Sequence, residues 1–206
     1  MAILLLIRHG QNDMLSKKLA GRMPGVHLNQ EGEAQARRLA AELAELPIKA
    51  VFASPLARAQ ETALPIARVH DLPVNTLPDV IEIDFGTWQG KSFKQLRRRK
   101  LWKDVQERPS EIRFPDGESF QEAQKRIVDG LRELGQKFSE KELVVCVAHS
   151  DVIRLAVAHF LGLPLDNFQR LRISPASVSV LHLNGDESAF GPINHQFDFP
   201  HSYTND

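Results

Sequence analysis

Three short apolar runs, each followed directly by polar or basic residues, limit most strongly what this chain can fold into. They occupy residues 2–7, 50–53 and 143–148. Runs of this length predict buried strands, and amphipathic patterns over 31–46 and 118–138 predict helices between them. Such an alternation predicts a parallel or mostly parallel sheet with helices on both faces.

Capping residues mark where two helices begin. Ser54 followed by Pro55 predicts an N-cap and a first-turn proline, and Ser119 with Glu122 has the spacing of a capping box. A further helix is predicted over 151–161, which ends before a glycine and a proline.

The C-terminal part of the chain shows one more strand and then no periodicity. Residues 177–183 alternate apolar and polar like a late strand, whereas 185–206 is rich in Asn, Asp, Pro and His and predicts a surface coil. Neither a repeat nor a linker divides the chain, so a single domain over 1–206 is expected.

Composition excludes several classes of partner. The chain has 26 Lys and Arg against 26 Asp and Glu, so no net charge attracts it to nucleic acid or to an anionic membrane, and any anion site must be local. Its one cysteine, Cys146, lies in an apolar run and predicts a small buried hydrophobe. With no disulfide and with residues 2–7 too short for a signal segment, we expect a cytoplasmic protein.

The residues that follow the apolar runs carry the chemistry. Arg8 and His9 follow the first run, Ser54 and then Arg58 follow the second, and His149 follows the third. The carboxyl ends of parallel strands meet at one edge of a sheet, where ligands bind. We therefore expect two histidines and two arginines to lie together.

These residue types suit phosphoryl transfer. A planar guanidinium group can donate two parallel hydrogen bonds to two phosphate oxygens. We therefore assign Arg8 and Arg58 to hold the phosphoryl group. A neutral imidazole is an available nucleophile near pH 7, a role we assign to His9, with a carbonyl on its other nitrogen as one means of fixing the tautomer. His149 is assigned to stabilise the developing charge.

The leaving alkoxide needs a proton from a carboxylic acid with a raised pKa. Glu82 is the candidate acid, and it lies in a short extended stretch in which Asp84 shares its face. Asp84 is therefore the alternative acid.

Five short motifs are spaced along the chain: Arg8-His9-Gly10; Ser54-Pro55-Leu56 with Arg58 to Thr62; Glu82 with Phe85, Gly86, Trp88 and Gly90; Gly117-Glu118-Ser119; and Ala148-His149-Ser150. Together they resemble the histidine phosphatase superfamily, also called phosphoglycerate mutase-like. Five motifs in the same order are far more specific than any one alone. The resemblance covers about residues 3–184.

This resemblance implies an α/β fold, a three-layer α/β/α sandwich with a mostly parallel sheet. It also implies a ping-pong mechanism without a metal or other cofactor, in which His9 is phosphorylated. Arg8, Arg58 and His149 match the family's phosphate-binding residues, and Glu82 matches its acid.

The first motif departs from the family pattern. Gln11 fits, Asn12 is unusual, and Leu15 stands where the family commonly has an asparagine that contacts phosphate. Asn12, Lys17, Lys18 and Arg22 are the candidates to replace it, and we assign Asn12 to phosphate. Gln11 and Arg22 are predicted to contact the substrate.

The predicted function is that of a metal-independent phosphomonoesterase acting on a small phosphorylated metabolite. A phosphomutase is the first alternative, although the compact stretch 114–119 resembles the phosphatase branch. A non-catalytic module that binds a phosphorylated ligand is the second alternative. The sequence leaves the oligomeric state open, with a homodimer as one option.

A basic run, residues 97–100, allows three interpretations. In a chain without net charge, four basic residues favour a solvated helix face over a rim for a multiply anionic substrate. Nucleic-acid binding ranks last of the three.

Overall fold

The computed structural model describes residues 2–185 and 187–197. Its strands are β1 (Ala2–Arg8), β2 (Ile48–Ala53), β3 (Val74–Thr76), β4 (Leu143–Ala148), β5 (Val178–Asn184) and β6 (Glu187–Phe190). Its α-helices are α1 (Gln30–Leu43), α2 (Ala57–Val69), α3 (Phe93–Leu96), α4 (Lys100–Glu107), α5 (Phe120–Gln136) and α6 (Ser150–Phe160). Short 3₁₀ turns span Pro78–Val80, Gly86–Trp88, Pro109–Glu111 and Leu165–Arg170.

The strands form one six-stranded mixed sheet in the order β3-β2-β4-β1-β5-β6. The first four strands in that order are parallel, whereas β5 pairs antiparallel with β1 and β6 pairs antiparallel with β5. The carboxyl ends of β1, β2 and β4 therefore lie side by side. The prediction of a mostly parallel sheet flanked by helices is confirmed.

Each face of the sheet has its own apolar core, because successive strand residues point to opposite faces. In β1, Leu4 and Leu6 pack with α5 and α6, whereas Leu5 and Ile7 pack with α1 and α2. Helices thus cover both faces, which gives the three layers expected for the α/β/α sandwich. None of the described helices combines the length and the apolar character needed to cross a bilayer.

Two sequence predictions were wrong. Ser54 does not cap a helix, because α2 begins three residues later and its N-cap, Leu56, makes no side-chain cap bond. The segment after Gly185 is not wholly a coil, since Glu187–Phe190 adds an edge strand to the sheet. The rest of the predicted coil from 198 onwards lies outside the described residues.

Several predicted boundaries shift by a few residues. The capping box of Ser119 and Glu122 is confirmed and starts α5 at Phe120. Helix α1 ends at Leu43, earlier than the apolar pattern indicated, because the chain turns there to enter β2. The short strand β3 was not predicted, since three residues provide too little periodicity to detect.

Cys146 is expected to resist thiol reagents in the native protein. Its side chain is fully buried in the core, and burial raises the pKa of the thiol to about 12. Because the thiolate is the reactive form, modification should occur only as fast as the protein unfolds. Measuring Ellman's reagent uptake across a denaturant series tests this, and rapid modification without denaturant would contradict the packing of β4.

Candidate active site

The ends of three parallel strands bring the predicted residues together. His9 follows β1, Ser54 follows β2, and His149 follows β4. The rings of His9 and His149 are 5.2 Å apart between centroids, and the guanidinium of Arg58 contacts both. A cavity of about 560 Å³ opens beside this cluster.

The hydrogen bonds of His9 fix its tautomer. Nδ1 lies 2.7 Å from the carbonyl oxygen of Gly10, which can only accept, so Nδ1 carries the proton. Nε2 therefore carries no proton, and its lone pair accepts a hydrogen bond from the Nε–H of Arg58 at 3.3 Å. Burial, followed by the charges of Arg58 and Arg8, lowers the pKa of His9 well below its usual value. The ring is thus neutral and nucleophilic at Nε2 near pH 7.

Arg58 is buried, and its guanidinium contacts several groups of the site. Its Nη2 donates to the carbonyl of Gly21 at 2.8 Å and lies 3.3 Å from Nδ1 of His149. Its Nη1 has no partner among the described residues, and neither does Nε of Arg8. Buried donors without an acceptor are costly, and the oxygens of a phosphoryl group would supply the missing acceptors.

Arg8 lies at the cavity wall and is oriented by the backbone. Its Nη1 donates to the carbonyl of Ile173 at 2.6 Å. Burial lowers its pKa to about 10, so the side chain remains cationic near pH 7. It can therefore pair with a phosphate oxygen without giving up its positive charge.

His149 is fully buried behind Arg58 and does not border the cavity. Its Nε2 lies 2.7 Å from the hydroxyl of Ser54. Because Arg58 can only donate to Nδ1, the proton of this neutral ring lies on Nε2 and is donated to Ser54. In this arrangement His149 contacts Arg58, and contact with phosphate requires Arg58 to move and the proton to shift to Nδ1.

Glu82 borders the cavity, as the acid assignment requires. One carboxylate oxygen accepts the backbone N–H of Ile83 at 2.9 Å. Burial, followed by the charge of Asp151, raises the pKa of Glu82 to about 7. A substantial fraction of the side chain is thus protonated near neutral pH and able to donate to a leaving group.

Asp84, the alternative acid, does not border the cavity. One of its oxygens accepts the backbone N–H of Gly86 at 2.9 Å, and the other lies 3.6 Å from the guanidinium of Arg22. Asp84 therefore stabilises the turn that follows Glu82. The structure gives no support to its role as the acid.

Comparison with known proteins agrees with this geometry. The family model described as "Histidine phosphatase superfamily (branch 1)" matches residues 4–195. The chain belongs to the histidine phosphatase superfamily. This family contains phosphatases and phosphomutases, so the protein is a phosphoryl-transferring enzyme.

Individual relatives span nearly the whole histidine phosphatase domain. Phosphoserine phosphatase 1 of Hydrogenobacter thermophilus is 31% identical and covers 89% of this chain and 87% of the relative. The 2,3-bisphosphoglycerate-dependent phosphoglycerate mutase of Thermoplasma acidophilum is 32% identical, with coverages of 88% and 87%. A phosphoserine phosphatase from Entamoeba histolytica, solved with 3-phosphoglyceric acid, superposes with a TM-score of 0.84 at 25% identity, covering 96% and 98%.

Asn12, the residue predicted to bind phosphate in place of the asparagine missing at Leu15, lies at the cavity of this histidine phosphatase. Its side chain is buried at the cavity wall, and its oxygen accepts the backbone N–H groups of Met14 and Leu15 at 3.0 and 3.1 Å. These two bonds orient the amide so that Nδ2 is the remaining donor. This geometry is compatible with the predicted phosphate contact of Asn12.

Gln11 and Arg22, predicted to contact the substrate, do not border the cavity. The backbone N–H of Gln11 donates to the side chain of Gln35 at 2.9 Å, which places Gln11 beside α1. Arg22 instead lies behind the acid, where its Nε donates to the carbonyl of Glu82 at 2.7 Å. Neither residue lines the cavity in this structure, and their contact with the substrate stays a prediction.

Glu118 joins Arg22 to the other groups that hold the acid in place. Its Oε1 accepts from Arg22 at 3.0 Å, from Arg126 at 2.8 Å and from the backbone N–H of Asp84 at 3.0 Å. Arg126 also donates to the carbonyl of Ile81 at 3.1 Å. The segment that carries Glu82 is thus fixed from behind by two arginines and a carboxylate.

One further residue at the cavity, Asp151, was not singled out from the sequence, and the basic run 97–100 reaches the cavity at one residue. Asp151 borders the cavity from the first turn of α6, and its charge helps to keep Glu82 protonated. Its position two residues after His149 was the one feature of the sequence that could have indicated a place at the site. Within the basic run, Arg97 borders the cavity and Arg98, Arg99 and Lys100 do not, which divides the run between a substrate rim and a solvated face.

Removing the Ser54 hydroxyl is expected to weaken catalysis without abolishing it. Ser54→Ala leaves Nε2 of His149 without a partner in a buried site, and losing one such hydrogen bond costs about 1–3 kcal/mol. Because this cost falls on the folded state, we expect the free energy of unfolding to drop by about 1–3 kcal/mol and kcat/KM to fall only as far as a displaced His149 ring shifts Arg58, with Ser54→Thr retaining most of the rate. Imidazole ¹⁵N shifts of His149 would report the tautomer, and an unchanged rate and spectrum in the alanine variant would contradict this role.

Proposed function

We propose that this protein is a metal-independent phosphomonoesterase that works through a phosphohistidine at His9. The observation that carries the proposal is the hydrogen bonding of His9, in which Gly10 accepts from Nδ1 and leaves the Nε2 lone pair beside Arg58 at the cavity. A merely structural histidine would not need a neutral ring whose lone pair faces the buried guanidinium of Arg58. The substrate is a small phosphorylated metabolite.

In the first half-reaction, Nε2 of His9 attacks phosphorus and the bond from phosphorus to the alcohol oxygen breaks. Glu82 transfers its proton to the departing oxygen, so the alcohol leaves neutral. Arg8, Arg58 and the amide of Asn12 hold the equatorial oxygens of the transferred group. The proton of His9 stays on Nδ1 and is donated to the Gly10 carbonyl, which stabilises the positive charge of the phosphorylated ring.

In the second half-reaction, Glu82 acts as a base. Its carboxylate takes a proton from water, the water oxygen bonds to phosphorus, and the bond from phosphorus to Nε2 breaks. His9 returns to its neutral form, and Glu82 regains the proton it gave up. The pKa of Glu82 near 7 suits both directions of this exchange.

A phosphomutase is the alternative supported by a specific observation, the 32% identity to a phosphoglycerate mutase. A mutase returns the phosphoryl group from His9 to another hydroxyl of the same substrate instead of to water. Both enzymes share the first half-reaction. The products therefore distinguish them.

The test is a panel of phosphorylated metabolites, including phosphoserine and 3-phosphoglycerate, with a chelator present. Each reaction is scored for free phosphate and, by ³¹P NMR, for an isomerised ester. We expect phosphate release that EDTA does not reduce. Isomerisation without release would assign the mutase, loss of activity with EDTA would contradict metal independence, and absence of both products would favour a binding module.

A further inference from the structure

The cavity has a polar inner end, and the remainder of its lining mixes apolar and polar side chains. Arg8, His9, Arg58 and Glu82 occupy the inner end. The loop after β1 forms one apolar wall, with Met14, Leu15 and Leu19 at its surface. Backbone bonds hold this loop against the acid motif, because Leu19 donates to Lys91 at 3.0 Å and accepts from Gly90 at 2.7 Å.

The other wall contains a continuous row of aromatic rings. Phe93 meets Trp102 edge-on at 6.4 Å, Trp102 stacks on Trp88 at 6.2 Å, and Trp88 contacts Phe114 at 5.4 Å. Trp88 and Phe114 are buried, whereas Phe93 and Trp102 are partly exposed. The two outer rings therefore offer free surface to a molecule in the cavity, and the two inner rings support them.

Two exposed cations stand on one side of the cavity. Lys18 lies opposite Ser92 in an antiparallel bridge, and Arg97 follows α3, the helix that Ser92 caps. Neither cation has an ion-pair partner in the described part of the chain. Arg154, in contrast, is neutralised by Asp151 at 3.0 Å. The positive charges available to a distant part of the substrate are thus Lys18 and Arg97.

Beyond the reacting groups the cavity offers both polar and apolar side chains, with Ser16, Ser150, Asp151 and Arg154 among the polar ones. Its volume of about 560 Å³ lies within the range of about 300–1,000 Å³ that holds drug-sized ligands, so a three-carbon phosphoester would fill only part of it. Gln169 is already bonded to the carbonyl of Val105 at 3.0 Å, and Gln106 is exposed. Much of the remaining contact is with apolar side chains.

We propose that the preferred substrate is the phosphate monoester of a ring-bearing apolar alcohol with an anionic group at its far end. The ring packs between the wall at Leu15 and the exposed surfaces of Phe93 and Trp102. The anionic group meets Lys18 and Arg97. This proposal rests on the proposed phosphomonoesterase activity, and it adds the chemical class of the leaving alcohol.

Three esters with similar alcohol basicity test it: ethyl phosphate, 2-phenylethyl phosphate and 2-(4-carboxyphenyl)ethyl phosphate. Burying a phenyl ring is expected to raise kcat/KM about 10-fold or more over ethyl phosphate. The carboxylate is expected to add about 2- to 5-fold, because partly exposed ion pairs are weak. About 0.5 M salt should remove the second gain and leave the first.

Three variants locate these gains. Trp102→Leu should reduce the ratio of the phenylethyl to the ethyl ester, and Leu15→Asn provides a second reading from the opposite wall if the tryptophan variant folds poorly. Arg97→Gln should remove the gain from the carboxylate. Arg98→Gln is the matched control, since Arg98 is the neighbouring cation and does not border the cavity.

The outcomes separate this inference from the function on which it rests. Hydrolysis of all three esters with equal kcat/KM, or a higher value for phosphoserine than for the aromatic esters, overturns the inference and leaves the phosphomonoesterase intact. No hydrolysis of any ester overturns both. A ring preference that Trp102→Leu and Leu15→Asn leave unchanged would also overturn it.

Discussion

Replacing His9 with alanine is expected to lower the rate of p-nitrophenyl phosphate hydrolysis by about 10⁴-fold or more, because the group that forms the covalent intermediate is lost. This substrate has a good leaving group and needs little help from Glu82. Its rate therefore reports nucleophilic attack more directly than other steps. Rapid quenching of wild type should trap an acid-labile phosphoprotein, and the variant should give none.

Two further variants show whether that loss comes from chemistry or from misfolding. His9→Asn keeps a polar group beside the buried guanidinium of Arg58, so it should fold while remaining inactive. His159→Ala is the matched control, because His159 is exposed near the far end of α6, about 14 Å along the helix from its start at Ser150. A folded alanine variant of His9 with the wild-type rate would assign the nucleophile elsewhere.

Replacing Glu82 with glutamine is expected to have the next largest effect, and only on substrates with a poor leaving group. Loss of a general acid typically costs about 10²–10⁴-fold. An alkyl phosphate should therefore lose about 10²-fold or more, whereas p-nitrophenyl phosphate should lose far less. Asp84→Asn should not reproduce this dependence on the leaving group, because Asp84 bonds Gly86 and does not border the cavity.

The pH dependence of Glu82→Gln follows from the raised pKa of the acid. Glu82 donates only when protonated, so the wild-type rate should fall as pH rises through about 7. Dividing the wild-type rate by the variant rate at each pH cancels ionisation of the substrate. This ratio should be large below about pH 7 and decline above it, and a ratio independent of pH would contradict the assignment.

The folding stability of the wild-type protein should also fall as pH rises towards the pKa of Glu82. The pKa of Glu82 is about 7 in the folded protein against an ordinary value of 4.5, so the unfolded chain releases this proton first. Folding stability therefore falls as pH rises from 4.5 towards 7. Glutamine carries no such proton, so the melting temperature of Glu82→Gln relative to wild type should be higher at about pH 8 than at about pH 5. The same difference in melting temperature between variant and wild type at both pH values would contradict the raised pKa of Glu82.

The sequence predicted the central strands and the residues at their ends because both signals are local. Residues 143–148 coincide with β4, and the polar residues after β1 and β4 reach the site as expected. The edge strands β3 and β6 carry too few residues for a pattern. The antiparallel placement of β5 beside β1 depends on how distant segments pack, which no local pattern records.

The side-chain directions that the sequence left undetermined at the site have a common cause. A sequence shows that Arg22 and Gln11 lie near the motif, but it does not show whether a side chain points to the cavity or to the backbone behind it. Arg22 is drawn to the carbonyl of Glu82 and to Glu118, which are distant in sequence. Ser54 likewise bonds His149 instead of capping α2, since the two residues end neighbouring strands.

The place of β1 in the sheet also bears on how the enzyme is made. Leu6 pairs with Cys146 on one side and with Ser179 on the other, so the strand that carries His9 is completed only by segments synthesised much later. Closing such long loops is slow. An emerging chain that ends before β5 cannot hold His9 against Arg58 and His149 in this sheet. During synthesis, phosphoryl-transfer activity should therefore arise late and in a single step.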